Sequence, residues 1–457
     1  MRPAGSGPGD RRRQRPADPG VRRARAPARP AGSGTAHRPE PHPDCIRTTS
    51  GEGRAMSNER HRDLPAAVAE ETVAEIVSRT FTSIPRSDQR RWGEMYMRGL
   101  LSVEGKKTMR ALAAGAGGGV EQSLYQFITK SPWHTAPVRR ELARLLQRTA
   151  PRAWVVQPLV IEKVGRHSVG VERQWVSQIG KFVNCQRAMG VWLTSDRASC
   201  PVDWRLALPD SWAGEPGLRR RASIPEDVGS CPPEQCAIDA VARMAEEWQL
   251  PGRPVVMDLR ESDAIRVCSE LLRRRTPFVV RVDPAVLRRG SGDLLRALSR
   301  RCLPVEWYDH TAEALRATSV GTTPVRLPVP QVPGGDGADR ADLVLLGAWT
   351  HPNRRTPGEY WLSNLTRTRV GTLYRTAALA RKAERDMAEI ADPLGLRDFE
   401  GRSFRGWHHH MTMVSLAQAA TVLSAPAAEP APPAALRLPP VAARRPAGHR
   451  TLGASAA

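Results

Sequence analysis

The sequence predicts an α/β protein with a mixed sheet, preceded by a helical region, and three observations lead there. From residue 151 onward, short apolar runs alternate with stretches of helical periodicity. Ahead of that point, residues 60–150 read as helical. The 457 residues also exceed what one ordinary domain needs, so two or three domains with at least one large buried core are expected.

Residues 1–55 are rich in Arg, Pro, Gly and Ala, and are nearly devoid of large apolar side chains. Such a segment cannot bury enough surface to offset chain entropy, so disorder is expected. It holds twelve Arg against five acidic residues, which suits a basic arm gripping DNA. Met56 then opens ordinary composition, Met-Ser-Asn-Glu-Arg, and a misplaced start upstream of it is the preferred reading. Residues 425–457 form an Ala/Pro-rich tail, also expected to be disordered.

Within the helical region, Val138, Leu142, Leu145 and Leu146 fall on one helix face, with Arg139, Arg140, Arg144 and Arg148 expected outside it. Pro137 suits the first turn, and Thr135 is a candidate cap. Beyond residue 151, Ala153–Val156, Gly190–Leu193, Val255–Met257 and Phe278–Val282 read as strands, and Leu343–Trp349 and Tyr360–Leu365 add two more. Pro233–Gln249, Ala264–Arg275 and Thr376–Ile390 read as helices.

Composition narrows the function classes. The 69 Lys and Arg against 47 Asp and Glu leave a net charge of +22, which favours a polyanionic partner. No run of about 18 apolar residues occurs and no apolar signal core opens the chain, so a cytoplasmic protein without membrane contact is expected. Seven cysteines, an odd and scattered set, argue against a disulfide framework. Cys231 and Cys236 could hold zinc only with a second pair that does not follow, so they read as free thiols. Gly115–Gly119 lacks the Lys-Ser/Thr of a nucleotide loop.

Candidate chemistry rests on few residues. Asp258 ends the apolar run Val255-Val256-Met257, where a strand end can project a carboxylate into a cleft, although a lone aspartate there is usually a cap. Glu384 lies on a helix-like segment far along the chain. The run His408–His410 raises metal binding, with a structural or DNA-facing role preferred. Arg219–Arg221 and Arg273–Arg275 read as solvated faces, and Trp133, Trp175 and Trp212 as core residues.

Read in order, several blocks carry more weight. They are Tyr96-Met-Arg-Gly-Leu-Leu-Ser102, Leu124-Tyr-Gln-Phe-Ile-Thr-Lys-Ser-Pro-Trp133, His167-Ser-Val-Gly-Val-Glu-Arg-Gln-Trp175, Asn184-Cys-Gln186, Leu208-Pro-Asp-Ser-Trp212, Ile224-Pro-Glu-Asp-Val228, Tyr360-Trp-Leu-Ser-Asn-Leu365 and the segment from Gly395 to His410. Together they resemble bacterial insertion-sequence transposases of the DDE superfamily endonuclease type, insertion sequence family 701 within the family 4 group. The likeness runs from about residue 78 to about 424.

This resemblance implies a ribonuclease-H-like mixed-sheet catalytic core with a β-rich insertion, preceded by a helical domain that binds DNA. The corresponding boundaries are 56–150 for the helical domain, 151–284 for the first part of the core, 285–370 for the insertion and 371–424 for the helical end of the core. It implies double-stranded DNA, the terminal inverted repeats, as partner, a homodimer that brings paired ends together, and a place on the nucleoid. In such enzymes two Asp and one Glu hold two Mg2+ or Mn2+ ions for in-line displacement at a phosphodiester.

Carried over residue by residue, the second acid falls on Asp258 and the third on Glu384, the catalytic and metal-binding candidates. The first falls on Gln157, and the lysine expected after the third falls on Ala391. Glutamine offers a neutral carbonyl oxygen that cannot balance or bridge two dications. Metal-dependent cleavage is therefore expected to be lost, leaving either a degenerate transposase or a non-catalytic DNA-binding protein derived from one. Glu162 cannot readily substitute, since five residues further along a continuing strand it would face the other way. Pro158 leaves that continuation open, and Glu261 and Asp263 are further candidates near the second acid.

Overall fold

A computed structural model describes residues 68–177, 179–258, 263–283, 291–328, 340–351, 354–425 and 450–451. All belong to one unit, His61–Ala457. The Arg/Pro-rich segment 1–55, nearly all of the Ala/Pro-rich tail and Glu261 lie outside the described residues.

Among the described residues five α-helices come first: α1 (Glu70–Thr80), α2 (Ser87–Ser102), α3 (Met109–Gly115), α4 (Glu121–Thr129) and α5 (Thr135–Leu145). Glu70 and Glu71 sit in the first turn of α1 and Arg79 in its last, matching the helix dipole at both ends. The Thr108 hydroxyl accepts from the Ala111 amide at 3.2 Å and caps α3. Helix α5 starts two residues before Pro137, with Thr135 inside it rather than capping it.

The chain then forms β1 (Ala153–Glu162), β2 (Glu172–Val176), β3 (Lys181–Thr194) and β4 (Ser199–Ala207), followed by α6 (Asp210–Ala213), α7 (Pro216–Ala222) and α8 (Pro233–Ala242). Next come β5 (Val255–Met257), α9 (Ala264–Arg273), β6 (Phe278–Val282) and α10 (Ser291–Arg300). Strands β7 (Cys302–Asp309), β8 (Ala314–Pro328), β9 (Arg340–Trp349) and β10 (Glu359–Ser363) precede α11 (Val370–Asp386), α12 (Phe404–Ser424) and the short β11 (Arg450–Thr451).

Among the described residues all eleven strands join one sheet. Its centre runs β4-β3-β1-β5-β6, with β3 antiparallel to β1 and to β4, and β5 and β6 parallel to β1. That order and sense are those of a ribonuclease-H-like core. Strands β10, β9, β8 and β7 continue the sheet from β6 by antiparallel pairing. The β-rich segment between Asp258 and Glu384 thus extends the central sheet itself. Strand β1 does continue through Pro158, which lies past the last β1–β5 pair at Val156, where a neighbour on one side only tolerates proline.

Helix α11 lies across the strands, and α12 packs against β4 and against α1, α2, α4 and α5. Fifteen of the 21 residues of α12 are buried, so it is enclosed on all sides rather than amphipathic. Its first turn is capped by Ser403, whose hydroxyl accepts from the Gly406 amide at 3.1 Å.

Two further sequence expectations need correction. Arg139 does not face solvent: it is 2% exposed and pairs with the fully buried Asp203 at 3.0 Å, while Arg243 lies 2.8 Å from the other oxygen of that carboxylate. The α5 stripe is wide enough to take in the position after Val138, and the charge is tolerated because a partner and hydrogen-bond acceptors meet it there. Burial lowers the Arg139 pKa to about 10, which leaves the side chain charged at neutral pH. Trp133 and Trp212 are buried as expected, but Trp175 is 48% exposed. The cause is strand overhang: β1 makes its last pair at Glu162–Cys185, and the tip of β3 beyond it has only β2 alongside.

The three histidines of α12 serve the core. His409 stacks on Trp133 at 3.8 Å and has ring nitrogens 2.9 Å from the Ile128 carbonyl and 3.0 Å from that of Trp133. His410 bridges Tyr96 Oη at 2.9 Å and the Gly395 carbonyl at 2.8 Å. A neutral ring with its proton on Nε2 satisfies both contacts, accepting from the tyrosine and donating to the carbonyl. Burial lowers both pKa values to about 4, and that of His408 well below its ordinary value.

The unfolded chain, with ordinary histidines near 6.5, binds protons between about pH 6.5 and 4 that the folded chain refuses. Stability should therefore be fully present above about pH 6.5 and fall as the pH drops toward 4. Calorimetry near pH 5 is expected to record uptake of roughly one proton per buried histidine on unfolding. Replacing His409 by glutamine should remove one of them.

Candidate active site

The middle of the sheet carries a row of side chains fixed by strand register. Trp154, Val155 and Val156 of β1 pair with Val255, Val256 and Met257 of β5, so the next step sets Gln157 beside Asp258. Val255, Val256 and Met257 pair in turn with Phe278, Val279 and Val280 of β6, and the same step sets Asp258 beside Arg281. Arg281 pairs with Trp361 of β10, and on the other flank Gln157 pairs with Gly190 of β3. A methyl group on Gly190 would meet the Trp204 ring at 2.6 Å. The missing side chain lets that indole lie in the row, anchored to Ser415 Oγ of α12 at 3.0 Å.

Helix α11 crosses this row and closes one side of a cavity of about 560 Å³. Gln157, Asp258 and Glu384 all line it, although 126 positions separate the last two in sequence. The carried-over third position, Glu384, is exposed at the cavity wall. Ala391, the position expected to be lysine, is fully buried beyond the end of α11.

The hydrogen bonds and ion pairs define what the cavity can hold. Gln157 is 5% exposed, and its Nε2 donates to the Ala380 carbonyl of α11 at 2.7 Å. A carboxylate at that position could accept but not donate, so the residue is matched to its surroundings as an amide. Arg281 donates to Asp258 Oδ2 at 2.7 Å and lies 3.7 Å from Glu359. Arg381 also bonds Glu359 and sits over the Trp307 ring at 4.6 Å. Burial acts to lower the Arg381 pKa, but Glu359 and Tyr374 together outweigh it and hold the group above its ordinary value.

Two dications beside a phosphodiester need several carboxylates converging on one point. Here the first position is a neutral amide turned toward a carbonyl, and the second acid is matched by an arginine within hydrogen-bond distance. Protein cations already balance the carboxylates of this row. The donor set therefore does not fit a two-metal centre, and among the described residues no group of three or more His, Cys, Asp or Glu is placed to hold a metal ion.

The alternates near the acids fare no better. Glu162 is exposed on the far end of β1 and lies 4.0 Å from Lys181. Asp263 caps α9, accepting from the amides of Ile265 at 3.1 Å and Arg266 at 3.0 Å. Cys231 and Cys236 are free thiols. Arg219 is committed to the carbonyls of Ala213 and Val228, and Arg273 to Glu270.

Arg281 and Glu359 were not among the sequence candidates. The available signal was a charge inside the otherwise apolar strand Phe278-Val-Val-Arg-Val282, and an acid opening the buried strand Glu359-Tyr-Trp-Leu-Ser363. A charge at such a place requires a partner, which is a reason to pair the two. Among the described residues no helix is long and apolar enough to cross a membrane.

No curated protein matches the chain. Residues 79–287, which include Gln157, Asp258 and Arg281, match the family model of the DDE superfamily endonucleases, and the match supports a DDE transposase-type endonuclease domain, a class whose substrate is DNA.

Proposed function

We propose that the chain is a transposase-derived protein of the bacterial insertion-sequence type, resembling family 701 within the family 4 group, that binds the terminal inverted repeats of an element without cutting them. The observation that carries this reading is the Gln157 amide donating to the Ala380 carbonyl at 2.7 Å, next to an Asp258 held by Arg281 at 2.7 Å. Asp258 and Glu384 are what remains of the acidic set, with Glu384 at the cavity wall. The matched DDE endonuclease stretch and the net charge of +22 support DNA as the partner. Two copies acting together follow from the need to hold two element ends.

A strand-cleavage assay on terminal repeats with Mg2+ or Mn2+ tests this. The wild type should bind the DNA, with affinity falling steeply as salt rises, and should leave both strands intact. Cleavage by the wild type that Asp258→Ala abolishes would establish an active nuclease and sink the reading. Binding indifferent to salt would count against phosphate contacts.

A further inference from the structure

The hairpin formed by β2 and β3 carries aromatic surface that the row described above does not use. Trp175 and Phe182 are cross-strand partners, edge to face with 5.4 Å between ring centres, and are 48% and 60% exposed. Such a pair satisfies one ring edge and leaves flat π-surface open to solvent. One cation shares their face: Arg173, two residues before Trp175 on β2, is exposed.

The hairpin is tied to the cavity. Strand alternation puts Phe182 on the face of β3 that also carries Ala188 and Gly190, and Gly190 is the register partner of Gln157. At 3.3 Å per residue, the aromatic pair lies about 20 Å along β3 from Ala188 in the cavity wall. Arg187, also in that wall, donates to the Trp175 carbonyl at 2.6 Å, and Ser177 of the same hairpin lines the cavity.

We propose that this hairpin is a stacking platform for unpaired nucleobases of a DNA strand led away from the cavity. Trp175 and Phe182 offer ring faces to the bases, and Arg173 holds a neighbouring phosphate. A cation beside exposed rings suits a polyanion with flat apolar groups, and duplex bases keep their faces covered, so the unpaired strand is the fitting partner. The proposal rests on the DNA-binding reading above.

The test uses the full chain without added metal, with fluorescence anisotropy on a blunt duplex and on the same duplex bearing a single-stranded tail. The wild type should prefer the tailed DNA. Trp175→Ala and Phe182→Ala should each weaken binding to it by roughly 5- to 150-fold while leaving the blunt duplex nearly unaffected, and Trp175→Phe should retain most of the preference. Unchanged binding of tailed DNA by Trp175→Ala overturns the proposal, as does an equal loss on both DNAs. A Trp175→Ala chain that sediments as a smaller species without DNA would instead assign the patch to a second copy of the chain. If the wild type binds neither DNA, the DNA-binding reading falls and the platform with it, whereas normal wild-type binding with indifferent variants removes the platform alone.

Discussion

Asp203→Ala should destabilise the fold by about 3–5 kcal/mol, measured by urea denaturation, because it leaves Arg139 and Arg243 facing each other in the core with no counter-charge. Asp203 is fully buried and Arg139 is 2% exposed, so water cannot screen the two guanidinium groups. Arg139 also donates to Thr412 Oγ1 at 2.8 Å, the Trp204 carbonyl at 2.9 Å and the His408 carbonyl at 2.9 Å, so it ties α5 to β4 and α12. Arg139→Met should cost less than Asp203→Ala, because the Arg243–Asp203 pair survives it and the methionine stem fills much of the same space. A reversed ranking would mean that packing, rather than charge balance, dominates at this site.

Gln157→Asp, the simplest return toward an acidic triad, should destabilise the chain and still fail to bind metal. The shorter carboxylate loses the donation to Ala380 and sits buried near a carbonyl oxygen, a change worth about 1–3 kcal/mol. Mn2+ should not restore that loss, because Arg281 still neutralises Asp258. The double variant Gln157→Asp with Arg281→Ser adds a carboxylate and takes the Arg281 guanidinium away from Asp258. It should gain Mn2+-dependent stability, about 2.7 kcal/mol at a metal concentration 100 times Kd. Equal stabilisation of the single variant would show that Arg281 is no obstacle. No stabilisation of the double variant would show that the acids do not converge on an ion.

Of the five central strands, β1, β3, β5 and β6 were legible in the sequence because each contains a short apolar run, whereas β4 was not, because Asp203 and Arg205 interrupt it. The bundle helices were legible from their periodicity. Side-chain partners were not, because they depend on register between distant segments. Arg139 meets Asp203 across 64 residues, and nothing near either residue in sequence announces the pairing. Likewise Trp175 has the composition of a core residue, and only the overhang of β3 past β1 puts it in solvent. Of the candidate site, the positions Gln157, Asp258 and Glu384 came from the family resemblance, and they line one cavity. The arginines that neutralise that cavity came from the fold.

The enclosure of α12 has a practical corollary for dissecting the chain. This helix draws its surroundings from α1, α2, α4 and α5 on one side and from β4 on the other, and the Tyr96–His410–Gly395 chain of hydrogen bonds fastens it there. A truncation at the end of the matched stretch, residue 287, discards α11 and α12 and strips the N-terminal helices of their shared filling. A fragment starting at residue 151 bares the opposite flank of the same helix. Neither piece is expected to fold alone, since α12 joins the helical half to the sheet that carries the cavity.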